Sequence, residues 1–335
     1  MEKKQDLKCS SADHEVDNTP KDEFQELLQT LERHMSWDGQ RLVKYKGFWF
    51  LVMIFRAMLF ARKNFKAKDT DVIISTMSKS GTTWLKALTF SIANRDRFTI
   101  DQSPLLTCNP HTVVPFLEYN LYWEQENPDL EDIPCPRIFA THMPFDFLPD
   151  SVHENGSRII YIGRNPLDQF VSQRHFLLEN KIGKEADNPL GVDEAFDMFC
   201  RGIHSWGPFW EHMHGYWNAH SENPRKVLFL KYENLKEDIT SQVKKIAEFM
   251  GFPFTLEEEK QGLIDQISGL CSFESLRNLA ANKTGNNLNG LVKNSSFFRK
   301  GKVGDWTNYL TPAMAERVRK LMESKFEGSG LIFKI

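Results

Sequence analysis

Residues 72–84 read Val72-Ile73-Ile74-Ser75-Thr76-Met77-Ser78-Lys79-Ser80-Gly81-Thr82-Thr83-Trp84, and Leu85-Lys86-Ala87-Leu88 continue as a helix. Consecutive β-branched apolar residues make a short strand buried on both faces, because a half-exposed strand would alternate with polar residues. The turn between strand and helix holds a lysine, a glycine and several hydroxyl side chains. Such a turn gathers backbone N–H groups and the positive end of the helix dipole around an anion. Gly81 lets the backbone approach a ligand, and Lys79 adds a point charge. An ordinary strand–turn–helix connection is the plain alternative. The bias toward small and hydroxylated residues argues against it.

The nearest general pattern is G-x-x-x-x-G-K-[ST], and the match is incomplete. No glycine stands at the front, and the lysine precedes Gly81 instead of following it.

Three further apolar runs repeat the strand signal: Arg137-Ile138-Phe139-Ala140, Arg158-Ile159-Ile160-Tyr161-Ile162 and Lys226-Val227-Leu228-Phe229-Leu230. Helical patterns separate them, so the chain reads as α/β with a central, mostly parallel sheet flanked by helices. Asn165-Pro166 and Thr311-Pro312 look like helix starts, and Gly328 like a helix end. Ligands of such sheets sit beyond the carboxyl ends of the strands. His142 follows the second run, placed for general-base work or held as a structural histidine. Arg164 follows the third, with Ser172 about two turns along the next helix. It can fork onto a phosphate or pair with Asp168. Tyr232 follows the fourth and can contact a base or pack in the core. Near the C-terminus, Phe298-Arg299-Lys300-Gly301-Lys302-Val303-Gly304-Asp305-Trp306 has the composition of a second anion loop, with a solvated charge run as the alternative. Two anion sites and an aromatic slot suit a nucleotide with phosphates at two separate positions.

Composition sets the limits. The 335 residues are 41% hydrophobic and 26% charged, which excludes wholesale disorder. With 42 basic against 45 acidic residues, the net charge of −3 argues against a general nucleic-acid binder. The five cysteines, Cys9, Cys108, Cys135, Cys200 and Cys271, are scattered and contain no C-x-x-C pair. They read as reduced, buried thiols with no metal site. Residues 1–20 read as a disordered tail, and residues 21–335 as one continuous domain. The N-terminus lacks the apolar core of a secretory signal. The apolar stretch Gly47–Ala61 carries Arg56 and is too short to span a bilayer, so it reads as a buried helix or pocket wall. The expected address is the cytosol, with no membrane partner.

Taken in order, Lys79-Ser80-Gly81-Thr82-Thr83-Trp84, Thr141-His142-Met143-Pro144, Arg164-Asn165-Pro166 with Ser172, Lys231-Tyr232-Glu233 and Phe298–Gly301 with Gly304-Asp305-Trp306 resemble the cytosolic sulfotransferases, most closely their plant branch. The resemblance runs from about Phe48 to Phe333. It implies a P-loop-like nucleotide-binding fold and a donor, 3′-phosphoadenosine 5′-phosphosulfate (PAPS), as co-substrate without a metal. By the family pattern, Lys79, Ser80, Gly81, Thr82 and Thr83 cradle the 5′-phosphosulfate. Trp84 and Phe273 sandwich the adenine, with Tyr232 on the base. Arg164, Ser172, Arg299, Lys300 and Gly301 take the 3′-phosphate. His142 is the catalytic base and Lys79 stabilises the leaving oxygen.

The chain departs from that pattern at several places. Met77-Ser78 stand where the family has Tyr-Pro, which loosens the turn. Ala140 stands where animal members carry a second lysine, a plant-branch feature. Cys271 replaces a threonine near the adenine. Thr307, Thr311, Pro312 and Glu316 occupy a degraded dimerisation pattern, so a monomer is expected. The acceptor walls are expected from Phe48 to Phe60, from His111 to Tyr122 and around Phe145, as in plant members that sulfate hydroxylated hormones or flavonoids. The competing readings are a P-loop kinase or NTPase and a non-catalytic nucleotide-binding relative.

Overall fold

The structure is a computed structural model that describes residues 20–180 and 190–335. The tail expected over residues 1–20 lies outside the described residues, except that Pro20 opens α1 (Pro20–Thr30). The chain then forms an antiparallel sheet of β1 (Glu32–Met35), β2 (Arg41–Tyr45) and β3 (Phe48–Leu51), which runs into α2 (Val52–Asn64). The stretch Gly47–Ala61, expected as a buried helix or pocket wall, is therefore strand over Phe48–Leu51 and helix from Val52 onward. Tyr45, Phe48, Phe50 and Phe55 interlock around Phe147 and pin this layer to the body.

The central sheet has the order β5-β4-β6-β7 and is parallel throughout. Its strands are β4 (Val72–Thr76), β5 (Ile138–Thr141), β6 (Arg158–Gly163) and β7 (Val227–Lys231). These are the four runs expected from sequence, with ends shifted by one or two residues. Their side chains alternate strictly between two cores. Ile73, Phe139, Ile159, Tyr161 and Phe229 enter one, while Val72, Ile74, Ile160, Ile162 and Leu228 enter the other. Both faces are covered, which is why the runs read as continuous rather than alternating. At the amino ends of the strands, Arg137 forks onto buried Asp71, with contacts of 2.9 and 2.6 Å.

The helix after β4, α3 (Thr82–Ala93), belongs to the second core through Leu85, Leu88 and Ile92. The helix after β6, α4 (Pro166–Asn180), belongs to the first through Leu167, Phe170 and Val171. Neighbouring strands thus send their helices to opposite faces, and a crevice opens between them at the carboxyl ends. Three more helices complete the walls: α5 (Phe209–Glu222) on the first core, and α6 (Tyr232–Glu237) and α7 (Ile239–Met250) on the second. Beyond them lie α8 (Leu263–Leu270), α9 (Phe273–Asn278), the ribbon of β8 (Asn286–Asn287) and β9 (Val292–Lys293), and α10 (Pro312–Lys325). The expected caps are present. Asn165 Oδ1 accepts from Leu167 N–H, and Thr311 Oγ1 accepts from Met314 N–H. The last helix ends at Lys325, and Gly328 at φ +72° turns the chain just beyond it.

Candidate active site

Gly81 sits at φ +116°, and a Cβ there would lie 2.9 Å from the Tyr232 ring, so only glycine lets α3 begin against α6. Lys79 also takes a left-handed backbone, φ +67°. Its ammonium lies 3.9 Å from the centroid of Phe176 and 5.5 Å from that of Phe297. Burial among these rings comes first, then the nearby Arg164 and Arg299 guanidiniums, in bringing its pKa down to about 7. Thr82 Oγ1 pairs with Thr76 Oγ1 at 2.7 Å and locks the loop to the end of β4.

Arg164 is buried at the tip of β6. Nη1 donates to Lys79 O at 3.2 Å and Nη2 to Lys302 O at 2.9 Å, and the guanidinium lies 4.6 Å over the Tyr232 ring. The alternative partner, Asp168, is 3.8 Å away. That carboxylate has a second task, accepting from Gly304 N–H at 2.8 Å and Trp306 N–H at 3.0 Å. It fastens the C-terminal loop to α4. In that loop Arg299 and Lys300 both bond to Asp305, so the run is a folded loop and not a solvated stretch of charge. Gly301 has φ +62°, and a Cβ would meet Phe273 at 2.6 Å, so the ring lies directly on the loop backbone.

His142 follows β5. Its Nδ1 lies 2.7 Å from the Thr76 carbonyl oxygen, which can only accept, so Nδ1 carries the proton and Nε2 holds the lone pair. The backbone is held on both sides. His142 N–H donates to Glu118 Oε1 at 2.7 Å, and His142 O accepts from His212 Nε2 at 2.9 Å. His212 Nδ1 in turn faces Tyr161 OH at 3.1 Å. Burial, with the charges of Lys86 and Lys79 adding to it, pushes the His142 pKa down to about 3. Burial pushes the Glu118 carboxyl up to about 7.

One cavity of about 1440 Å³, mouth included, joins these pieces. Lys79, Gly81, Thr82, Thr83, Trp84, His142, Arg164, Ser172, Tyr232, Phe273, Arg299, Lys300 and Gly301 all line it. Of the residues expected from sequence to bind the donor or act in catalysis, Ser80 alone does not; it is buried beneath the loop. Ser80 Oγ, Trp84 Nε1, Arg164 Nε and Arg299 Nε are buried without a hydrogen-bond partner among the described residues. The apolar walls of the cavity come only partly from the segments expected to take an acceptor. Leu51, Met53, His111, Phe116 and Tyr119 line the cavity. Phe145 instead packs on His153 and Tyr216. Leu288, Leu291 and Val292 from the β8–β9 ribbon supply wall that the sequence did not signal. Sequence reasoning also missed the anchoring by Glu118 and His212, which have no motif of their own; the sequence offers Asp168 only as a partner of Arg164 and Asp305 only as a member of the C-terminal loop. Cys271 lines the cavity, with its thiol 3.4 Å from Ser91 Oγ. Cys200 is buried as expected, whereas Cys135 is exposed.

A crevice at the switch point of a parallel sheet, with cations at one end and a neutral imidazole beside apolar walls, is the site of an enzyme acting on an anionic co-substrate and a small apolar partner. The chain belongs to the sulfotransferase family: residues 69–330 match the family described as Sulfotransferase domain. It is 44% identical to Cytosolic sulfotransferase 15 of Arabidopsis thaliana, over 93% of this chain and 88% of that one. It is also 44% identical to a Flavonol 4′-sulfotransferase of Flaveria chlorifolia, over 96% and 100%. Among solved structures, a mouse sulfotransferase complexed with PAP superposes with a TM-score of 0.65 at 27% identity, over 86% of this chain and 96% of that one. The protein is therefore a sulfotransferase enzyme.

Proposed function

We propose that this enzyme moves a sulfuryl group from PAPS to a hydroxyl of a small apolar or aromatic acceptor, with His142 as general base. One arrangement carries the reading: the lone pair of His142 Nε2 belongs to a cavity that also holds Lys79, Arg164 and Arg299. The partnerless polar atoms around the cationic end suit a ligand with phosphates at two places. That the mouse neighbour was solved with PAP supports the same donor here. Lys79, Gly81, Thr82 and Thr83 would hold the 5′ end. Arg164, Ser172, Arg299, Lys300 and Gly301 would hold the 3′-phosphate, with Trp84, Tyr232 and Phe273 around the base.

When bound, PAPS supplies the sulfuryl group and a phosphate leaving oxygen. His142 Nε2 would take the proton of the acceptor hydroxyl as the acceptor oxygen attacks sulfur and the bond from sulfur to the phosphate oxygen breaks. The ring is neutral across the physiological range, so its lone pair is always available. Charge on the bound donor offsets Lys79 and eases protonation of the imidazole. Lys79 stabilises charge on the leaving oxygen. The flavonol sulfotransferase relative and the apolar, aromatic far wall support a flat or ringed acceptor, such as a plant hormone or flavonoid. Residues 21–335 are read as one domain acting as a monomer, and the curated relatives' names support the cytosol.

The test is a labelled donor with a panel of phenols, flavonols, hydroxyjasmonate, brassinosteroids and desulfoglucosinolates, with and without EDTA. Sulfated product insensitive to chelator is expected. His142→Ala should lower kcat by about 10²–10⁴ and leave PAP affinity unchanged. A wild-type rate in that variant removes His142 from the chemistry. Donor binding with no product across the panel turns the reading to a non-catalytic relative.

A further inference from the structure

A buried chain of polar groups runs behind the donor end of the cavity. Lys86, on α3, is fully buried. Its Nζ lies 2.8 Å from Val114 O, 3.1 Å from His111 Nδ1 and 3.4 Å from the centroid of the Phe116 ring. His111 Nε2 lies 2.9 Å from Thr83 Oγ1. Thr83 is the second residue of α3 and lines the cavity, as does His111. The imidazole is held in place by stacking on Phe297 at 4.1 Å and Phe116 at 5.4 Å, and the His111 backbone N–H donates to Asn109 Oδ1.

Two proton arrangements satisfy this geometry. In the first, Lys86 is an ammonium whose three donors go to Val114 O, His111 Nδ1 and the face of Phe116. His111 then carries its proton on Nε2 and donates to Thr83 Oγ1, and the Thr83 O–H is left to donate into the cavity. In the second, Lys86 is an amine that accepts from His111 Nδ1–H. Nε2 then accepts from Thr83, which turns only lone pairs toward the cavity. An anion is bonded by the first arrangement and repelled by the second. Burial favours the amine, and the carboxyl of Glu118 favours the ammonium.

We propose that Lys86 and His111 are positioning residues for the donor. They act through Thr83 as a hydrogen-bond relay, and an anionic donor selects the arrangement in which the Thr83 hydroxyl donates to it. The inference rests on the donor reading above.

The experiment is a double-mutant cycle on PAP affinity with Lys86→Met, Thr83→Val and the pair. Methionine keeps the apolar stem without the charge, and such swaps of buried ions are often tolerated. Lys86→Met should weaken PAP about 5–10-fold in the wild-type background and less than about twofold in the Thr83→Val background, because the relay would already be cut. Equal losses in both backgrounds overturn the relay. Should Lys86→Met not fold, His111→Phe keeps the stacking without the nitrogens and should show the same dependence on Thr83. In the PAP complex, the ¹⁵N signals of His111 should show a proton on Nε2 and none on Nδ1; the opposite tautomer refutes the proposal. A wild-type enzyme that does not bind PAP would sink the donor reading itself. PAP binding with an additive cycle would sink only the relay.

Discussion

Lys79 shows how one residue joins fold to function. Its left-handed backbone costs about 1–2 kcal/mol for a residue with a Cβ, yet it turns the ammonium over Phe176. Burial first, then the neighbouring guanidiniums, hold its pKa at about 7, so the free enzyme carries this charge only below that point. A bound polyanion favours the ammonium and raises the pKa in the complex. Below about pH 7 the charge is already present and binding takes up no proton at Lys79. Above it, binding takes up a proton, and affinity falls by up to about tenfold per pH unit until the pKa of the complex is reached. Titration calorimetry of PAP at about pH 8, in buffers of different ionisation enthalpy, should show proton uptake that Lys79→Met removes. Equal signals in all buffers would refute the linkage.

At the scale of elements, the site depends on how a loop from the C-terminus is held against a helix from the middle of the chain. Asp168 does this by accepting from Gly304 and Trp306 while lying 3.8 Å from Arg164. Asp168→Asn removes the charge and leaves one amide oxygen for two N–H donors. The loss should be about 1–3 kcal/mol, seen as weaker PAP binding and faster hydrogen exchange at Gly304 and Trp306. Unchanged exchange at those amides would mean that the loop holds itself through Asp305. Residues such as Asp168 explain what the sequence did and did not disclose. The tips of β4, β5 and β6 were legible because their signal is local: a buried run, then a lysine, histidine or arginine within a few residues. The apolar cavity walls were not. Phe145 and the Leu288–Val292 ribbon are apolar segments whose facing depends on partners far along the chain, and nothing in their own spacing says which one meets the cavity. Glu118 was equally silent, since its bond is to a backbone N–H 24 positions away.

Over the whole molecule, the two cores are divided by the central sheet, and at its carboxyl edge their helices face each other across the crevice. Groups from α3 and α6 on one side and α4 on the other line the same cationic end, with the C-terminal loop closing it. A ligand that bridges them adds contacts between layers that are otherwise apart there. It binds the folded state and not the unfolded chain. PAP at about 100 times its Kd should then add about 2.7 kcal/mol of stability and raise Tm accordingly. Arg164 touches the Lys79 loop, the Tyr232 ring and Lys302 O, so it sits where these parts meet. Arg164→Ala should cost about 2–5 kcal/mol of PAP affinity, which at the same ligand concentration leaves less than about 1 kcal/mol of the stabilisation. His142→Ala lies at the acceptor side and should keep the full Tm increment. Scanning fluorimetry of the three proteins with and without PAP separates these outcomes. A full increment in Arg164→Ala, or its loss in His142→Ala, would show that the cationic end is not where the donor binds.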